Sequence, residues 1–127
     1  MATSKQRKDK LVRWADESIH DVFGEREISD SYNGQIAAFS VSVALSGLKP
    51  TFAIYNSSTS NSEVDKTRII ELLAEMFTKD KGQRLDTDQL YKKVIKLKDD
   101  DASLQKDIIE YAIALKLAIR TFKLKKS

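Results

Sequence analysis

The stretch from Ser31 to Tyr55 limits the possible folds of this chain more than any other segment. It reads SYNGQIAAFSVSVALSGLKPTFAIY, contains no acidic residue and has Lys49 as its one basic residue. Elsewhere the 127-residue chain is highly charged, since Asp, Glu, Lys and Arg make up 32% of the whole. A segment with so little charge is unfavourable in water, so we expect the charged amphipathic segments to fold around it.

Two secondary structures compete for the first part of this stretch. An alternating apolar pattern over 39–45 is typical of a strand, whereas Tyr32, Ile36, Phe39 and Val43 recur at helical spacing. An uninterrupted run from about 31 to 46 is long for a strand and ordinary for a helix. Length therefore favours a helix, with a strand hairpin as the alternative. Gly47 and Pro50 then predict a break and a short helix from about 50 to 56.

Four further segments carry apolar residues at the spacing of amphipathic helices. We expect these helices over residues 5–23, 63–79, about 87–97 and about 102–123. Gly24 and Gly82 are expected to end the first two, and Asp86 or Thr87 to cap the third. In the last helix Ile109, Ile113 and Leu117 widen the apolar arc, which predicts burial on more than one side.

Together these segments predict an all-α fold, a compact bundle of about six helices. A chain of this length suits a single helical domain, residues 1–127. We expect the uncharged segment and the last helix to form its centre, and the basic ends 1–6 and 124–127 to fray.

The residue types that most catalytic and metal sites require are missing or scarce. The chain has no cysteine, which excludes disulfides, thiolate zinc sites and cysteine nucleophiles, and His20 is its single histidine. Asp99, Asp100 and Asp101 lack the glycine and the later glutamate of a calcium loop and suit the start of the last helix instead. We therefore predict that the chain is not an enzyme and uses no metal and no cofactor.

Nothing in the sequence predicts a membrane-spanning segment. The apolar stretch is broken by Gly47, Lys49 and Pro50 and falls short of the ~20 apolar residues that cross a bilayer. No apolar signal core follows the basic N-terminus. We expect a cytoplasmic protein with no membrane partner and no small-molecule substrate.

Basic residues concentrate at the two ends of the chain. Residues 1–13 carry five basic residues and one acid, and residues 116–127 carry five and none. If the two ends meet on one face, they form a patch that attracts phosphates. The candidates fall into three clusters: Lys5 and Lys8 with the neighbouring Arg7; Lys92, Lys93 and Lys96; and Lys116, Arg120 and Lys123.

The cluster of Lys116, Arg120 and Lys123 is the strongest candidate, because no acidic residue lies among or after these three positions. Such a helical stripe contacts phosphates without reading bases, and a solvated helix face is the alternative. The aromatic side chains that suit base stacking are expected in the core of a domain this small. They are Trp14, Tyr32, Tyr55 and Tyr91.

The segment Gly47-Leu48-Lys49-Pro50-Thr51-Phe52-Ala53 resembles the central signature of a known family. That family is the small subunit of type III-B CRISPR RNA-guided effectors, the Cmr complex, in which the signature joins two core helices. The run from Tyr32 to Leu45 and the ending from Tyr111 to Leu124, rich in Ala and Leu, are similar to the family's helices in their order.

The resemblance implies a non-catalytic helical subunit of an antiviral effector. Several copies would stack head to tail beside the backbone filament, with the backbone and large subunits as partners, and line the channel that holds guide RNA and target RNA. Target cleavage would belong to another subunit, and Gly47, Leu48, Phe52 and Ala53 would be structural. A helical adaptor that binds only protein, without nucleic acid, is the alternative.

Overall fold

A computed structural model describes residues 4–24, 28–56, 66–97, 102–122 and 124–125, and of Lys125 only the backbone. The described residues form six helices and one pair of very short parallel strands. The helices are α1 (Ser4–Phe23), α2 (Ser31–Ser46), α3 (Leu48–Asn56), α4 (Thr67–Lys81), α5 (Thr87–Ile95) and α6 (Ser103–Ile119). The strands are β1 (Ile28–Ser29) and β2 (Leu124–Lys125). The predicted all-α fold is confirmed.

The uncharged segment folds as a helix, so the strand hairpin is wrong for these residues. α2 runs without a break over Ser31–Ser46, and the face that helical spacing selected is buried. Its members are Tyr32, Ile36, Phe39 and Val43. The ring of Phe39 lies edge-on to Phe52 and Tyr55 of α3, with centroid distances of 5.8 and 5.1 Å. Helical periodicity over 16 residues therefore outweighed the local alternation.

Gly47 makes the turn between α2 and α3, as its position predicted. Its φ of 92° and ψ of 168° lie in a region that is essentially restricted to glycine. Its N–H donates to the Val43 carbonyl at 3.0 Å, and its own carbonyl accepts the Thr51 hydroxyl at 2.9 Å. α3 begins at Leu48 rather than Pro50, because the missing N–H of proline is tolerated throughout the first turn, where N–H groups have no helical partner.

The ends of α4 and α5 follow local chemistry. Gly82 adopts the left-handed conformation after α4, and Asp86 caps α5 through a reciprocal pair of hydrogen bonds with Gln89, 2.8 and 2.9 Å long. Both predictions are confirmed. The helix starting at Glu63 was only partly predicted correctly, since α4 begins at Thr67 and residues 57–65 lie outside the described part.

The last helix is shorter than the sequence predicted. α6 ends at Ile119 rather than near Lys123. The Thr121 hydroxyl donates to the Ala118 carbonyl at 2.7 Å, and the N–H groups of Thr121 and Phe122 bond carbonyls only three residues back. These tight turns end the α-helical pattern. Beyond them, Leu124 pairs with Ile28 in the parallel strand pair.

The core centres on α6 and α4, and the uncharged segment packs on both, α2 against α6 and α3 against α4. α6 packs against α1, α2 and α4, while α4 packs against α1, α3, α5 and α6. α4 buries seven residues and α2 only four, because α2 turns Val41 and Leu45 outward. The prediction that Ile113 and Leu117 extend the buried arc of α6 is also wrong. Both are about half exposed, at 48% and 49%.

Candidate nucleic-acid interface

The basic residues at the end of α6 are accessible to different extents. Lys116 lies in the helix and is half-buried. Arg120 is the C-cap residue of the helix and is exposed. Arg120 keeps helical backbone angles, with φ −66° and ψ −18°, so it lies one turn beyond Lys116 on the same face. Lys123 lies outside the described residues. Two of the three predicted members of this stripe, Lys116 and Arg120, therefore lie on one face of the helix.

The basic residues at the start of α1 differ in accessibility: two are exposed to solvent and one is bound to acidic side chains. Lys5 and Lys8 are exposed. Arg7 lies between them in sequence, but its guanidinium contacts carboxylates on α4 and α6. The prediction that Arg7 projects with Lys5 and Lys8 is wrong, because its guanidinium is already bound to acidic side chains.

The α5 lysines are exposed, but two of them have neighbours in the protein. Lys92 forms an ion pair with Asp88 one turn earlier, with Nζ and Oδ2 3.1 Å apart. The Nζ of Lys93 lies 5.9 Å from the centre of the Phe77 ring. Lys96 caps the C-terminal end of α5 and is exposed. Of the three, Lys96 is the most available for an external anion.

Among the described residues, the basic residues near the two chain ends do not meet on one patch. α1 and α6 run in the same direction, because Arg7 contacts Glu110 while His20 stacks on Phe122 at a centroid distance of 4.8 Å. Lys8 lies level with Glu110, and ten further residues of helical rise place Arg120 about 15 Å away. Lys8 and Arg120 therefore belong to opposite ends of this helix pair.

Arg7 is the hub of an ion network that ties α1 to α4 and α6. Its Nη1 and Nη2 donate to the two carboxylate oxygens of Asp80, each at 3.1 Å. Its Nε donates to Glu110 at 3.3 Å, and Asp107 lies 3.7 Å from Nη2. Lys81 adds a second cation, with its Nζ 3.0 Å from Asp107. The carboxylates of Asp80, Asp107 and Glu110 are therefore paired with cations of the same chain, Arg7 and Lys81.

The protonation states in this network are fixed by its contacts. Hydrogen bonding to Asp80 raises the pKa of Arg7. Burial opposes ionisation of Asp80, yet hydrogen bonds from Arg7 and Tyr111 outweigh it and hold the pKa of the carboxyl below its usual range. Burial and the 2.6 Å bond to Asp80 raise the pKa of the Tyr111 hydroxyl. A carboxylate held ionised by a bound arginine is a poor general acid or base near neutral pH, so the cluster is structural.

The comparisons with known proteins give one decisive result. The family model for CRISPR-associated protein Cas_Cmr5 matches residues 7–122, which takes in the basic stripe up to Arg120 as well as the Gly47 turn. The chain belongs to the Cas_Cmr5 family. It is thus a small subunit of a type III-B CRISPR complex, and the resemblance found in the sequence is confirmed. Neither the curated proteins nor the solved structures compared with it gave a match.

Sequence reasoning missed several exposed cations of this Cmr-family subunit, among them Arg84 and Lys106. Arg84 lies between α4 and α5, and Lys106 lies in the first turn of α6. Neither falls in a cluster with helical spacing, and acidic residues flank both in sequence. Spacing alone could not have found them, because their accessibility depends on how α4, α5 and α6 pack.

The aromatic candidates and His20 of this Cmr-family subunit pack in or beside the core or lie at the surface. Tyr32 and Tyr55 are buried, and the Tyr55 hydroxyl donates to the Gln35 carbonyl at 3.2 Å. Trp14 and Tyr91 pack at the edge of the core. His20 is exposed, 3.8 Å from Asp16.

Asp99, Asp100 and Asp101 lie outside the described residues. Within the described ranges no group of His, Asp and Glu side chains is placed to hold a metal ion. The helices seen there are too short or too polar to cross a membrane.

Proposed function

We propose that this chain is a non-catalytic subunit that contacts guide or target RNA through the basic end of α6. Lys116 and Arg120 would contact the RNA backbone, together with Lys123 beyond the described helix. The partners would be the backbone and large subunits, neighbouring copies of this chain, and the guide–target RNA, in the cytoplasm. The supporting observation is that Lys116 and Arg120 lie one turn apart at the C-terminal end of α6. The sequence has no acidic residue from Tyr111 to Ser127.

The charge pattern along the sequence favours the end of α6 over the other basic clusters. A phosphate near Lys116 and Arg120 meets no acidic side chain from the same segment. Near Lys8 or Lys92, by contrast, it approaches Glu110 or Asp88. Exposed cations without acidic neighbours release counterions when they bind a phosphate backbone, which is the main source of sequence-independent affinity. Lys5, Lys8, Lys92, Lys93 and Lys96 therefore form a second rank of candidate RNA contacts.

A salt titration of RNA binding tests the proposal. The assembled effector would carry either the wild-type chain or the triple variant Lys116→Glu, Arg120→Glu and Lys123→Glu. If all three side chains contact single-stranded target RNA, the slope of log affinity against log salt becomes less steep by about 2 in the variant. The affinity itself should fall most at low salt.

A matched variant separates the end of α6 from charge in general. The triple change of Lys92, Lys93 and Lys96 to Glu alters the net charge by the same amount at a different place. It should leave the slope closer to that of the wild type. Equal slopes for the wild type and the α6 variant, in complexes of equal subunit content, would refute the proposed contact.

A protein-only adaptor is the second candidate function. It is favoured by exposed large apolar side chains on α2 and α6, which suit protein contacts better than phosphate. Recovery of the chain from its native cells, with nuclease left out, distinguishes the two. Co-purification of effector subunits without guide RNA would support the adaptor.

A further inference from the structure

One ring–ring contact of the described residues lies at the surface. The rings of His20 and Phe122 have centroids 4.8 Å apart and are tilted by 54°. The His20 side chain is 62% exposed, so Phe122 covers only part of its ring and leaves room for another planar group. The other ring–ring contacts within the described part of the chain join buried rings, those of Phe23 with Tyr32 and of Phe39 with Phe52 and Tyr55.

The two rings, called here the His20–Phe122 platform, are held by the backbone on both sides. His20 lies in the last turn of α1, and its carbonyl accepts the Gly24 N–H at 2.8 Å. The Phe122 N–H donates to the Ile119 carbonyl at 3.1 Å, and the Phe122 side chain packs against the edge of the core. Both rings therefore extend from a fixed backbone, which lowers the entropic cost of binding a ligand on them.

The charge beside the platform is positive on the α6 side and negative on the α1 side. Arg120 is exposed two residues before Phe122, so their Cα atoms lie within about 7 Å of each other. On α1, the Asp16 carboxylate lies 3.8 Å from the Nε2 of His20, and Glu17 is exposed one turn before His20. A phosphate is therefore attracted to the α6 side of the platform and repelled from the α1 side.

A nucleotide of single-stranded RNA has the chemistry that matches this arrangement. It carries a flat base and an anionic phosphate, separated by one sugar. Proteins bind unpaired bases by stacking them on Phe, Tyr, Trp or His side chains, with cations along the phosphate backbone. A base within a duplex is not available, because it is stacked between its neighbours. An aliphatic side chain of a protein partner would contact the rings but would bring no anion to Arg120.

We infer that the His20–Phe122 platform binds one unpaired base of an RNA whose phosphate contacts Arg120. The two rings are tilted, so a flat base does not stack on both. It lies on the more exposed His20 ring and meets Phe122 at its edge. The inference rests on the proposed function, because the two share the phosphate contact at Arg120. It adds a preference for single-stranded RNA, which phosphate contacts alone do not supply.

Binding of two single-stranded RNA oligomers to the full chain at low salt tests the base site. One oligomer is oligouridylate, and the other has the same length and the same ribose–phosphate backbone but no bases. The wild type should bind oligouridylate at least about fivefold more tightly, which is the lower end of the effect of one base stacked on an aromatic side chain.

Variants at His20 isolate the contribution of the ring. His20→Ala leaves the formal net charge at pH 7 unchanged, so only the affinity for oligouridylate should fall, by about fivefold or more, with the same salt dependence. His20→Gln keeps a polar side chain and should behave like His20→Ala. His20→Tyr keeps an aromatic ring and should retain most of the affinity. Since His20 is exposed, thermal unfolding should show all three variants folded.

Arg120→Glu provides the comparison for the phosphate contact and should weaken binding of both oligomers alike. If His20→Ala lost affinity for oligouridylate while Arg120→Glu bound both oligomers like the wild type, the base site would stand and the phosphate contact would fail. Equal affinity of the wild type for the two oligomers would overturn the base site and leave the phosphate contact standing.

Three further outcomes would contradict the base site. Equal losses for both oligomers in His20→Ala would show that His20 acts through the fold or the phosphate rather than on a base. Unchanged RNA affinity of His20→Ala, with weaker incorporation into the assembled effector, would identify a protein as the occupant. A wild-type chain that binds neither oligomer up to about 1 mM has no such site.

Discussion

Arg7 and Asp80 form a two-pronged ion pair across 73 positions of sequence, with both N–O distances 3.1 Å. The Asp80 side chain is only 8% exposed, while Arg7 is 32% exposed. Planar pairs of this kind fix orientation as well as distance. Because Arg7 also reaches Glu110 on α6, the pair helps to set how α1 packs on the two central helices.

Replacing Arg7 should destabilise the fold. Arg7→Gln leaves Asp80, Asp107 and Glu110 without their shared cation, and we expect a loss of about 2 kcal/mol in the free energy of unfolding. Urea denaturation measures it. Arg13→Gln, the same change at an exposed position on the same helix, should cost less than about 0.5 kcal/mol. Equal losses in the two variants would show that the network does not stabilise α1.

The network should also make stability depend on acid. The pKa of Asp80 is lowered by folding, so its ionised form contributes stability that is complete above the unfolded pKa of about 3.9. That contribution is lost as the pH falls further, through the lower pKa of the folded state. Asp80→Asn cannot titrate, so its unfolding free energy should fall less steeply below about pH 4. Parallel pH curves for the two proteins would contradict this account.

Gly47 and Gly34 should respond in opposite ways to the same change. A Cβ at Gly47 would meet Pro50 at an ordinary 3.8 Å, so the expected cost of Gly47→Ala, about 1–3 kcal/mol, comes from the backbone angles. Gly34 lies exposed within α2 with open space around it, and Gly34→Ala should stabilise by about 0.5–1 kcal/mol. Thermal melting measures both. A Gly47→Ala protein as stable as the wild type would mean that the turn relaxes to ordinary angles.

The capping box of α5 predicts a contrast between two neighbouring aspartates. Asp86 accepts the Gln89 N–H at 2.8 Å, so Asp86→Ala should cost about 1 kcal/mol. Asp88 makes only an exposed ion pair with Lys92, and Asp88→Ala should cost less than about 0.5 kcal/mol. The two losses in chemical denaturation should therefore differ clearly. Similar losses would indicate that the cap contributes little.

The sequence predicted local structure well where short-range chemistry decides it. The length of the uncharged run correctly predicted that α2 is a helix. Gly47, Gly82 and Asp86 ended or capped helices as expected. These outcomes depend on the conformational preference of one residue or on hydrogen bonds a few positions apart. The same local signature around Gly47 also carried the family resemblance.

Features that depend on packing between distant segments were not predictable in the same way. Ile113 and Leu117 continue an apolar arc in sequence, yet whether that arc is covered depends on where α1 and α2 lie. Arg7 carries the same charge as Lys5 and Lys8, but only the fold brings it to Asp80. The premature end of α6 at Ile119 follows from bonds made by Thr121, which periodicity does not show.

The central claim is that the basic end of α6 contacts RNA in the assembled effector. Photocrosslinking of an effector that carries guide and target RNA, followed by mass spectrometry of this chain, tests it most directly. We predict RNA crosslinks in the peptides that contain Lys116, Arg120 and Lys123, lost on changing these residues to Glu. Crosslinks confined to other subunits, or found only at the α1 and α5 lysines, would contradict the claim.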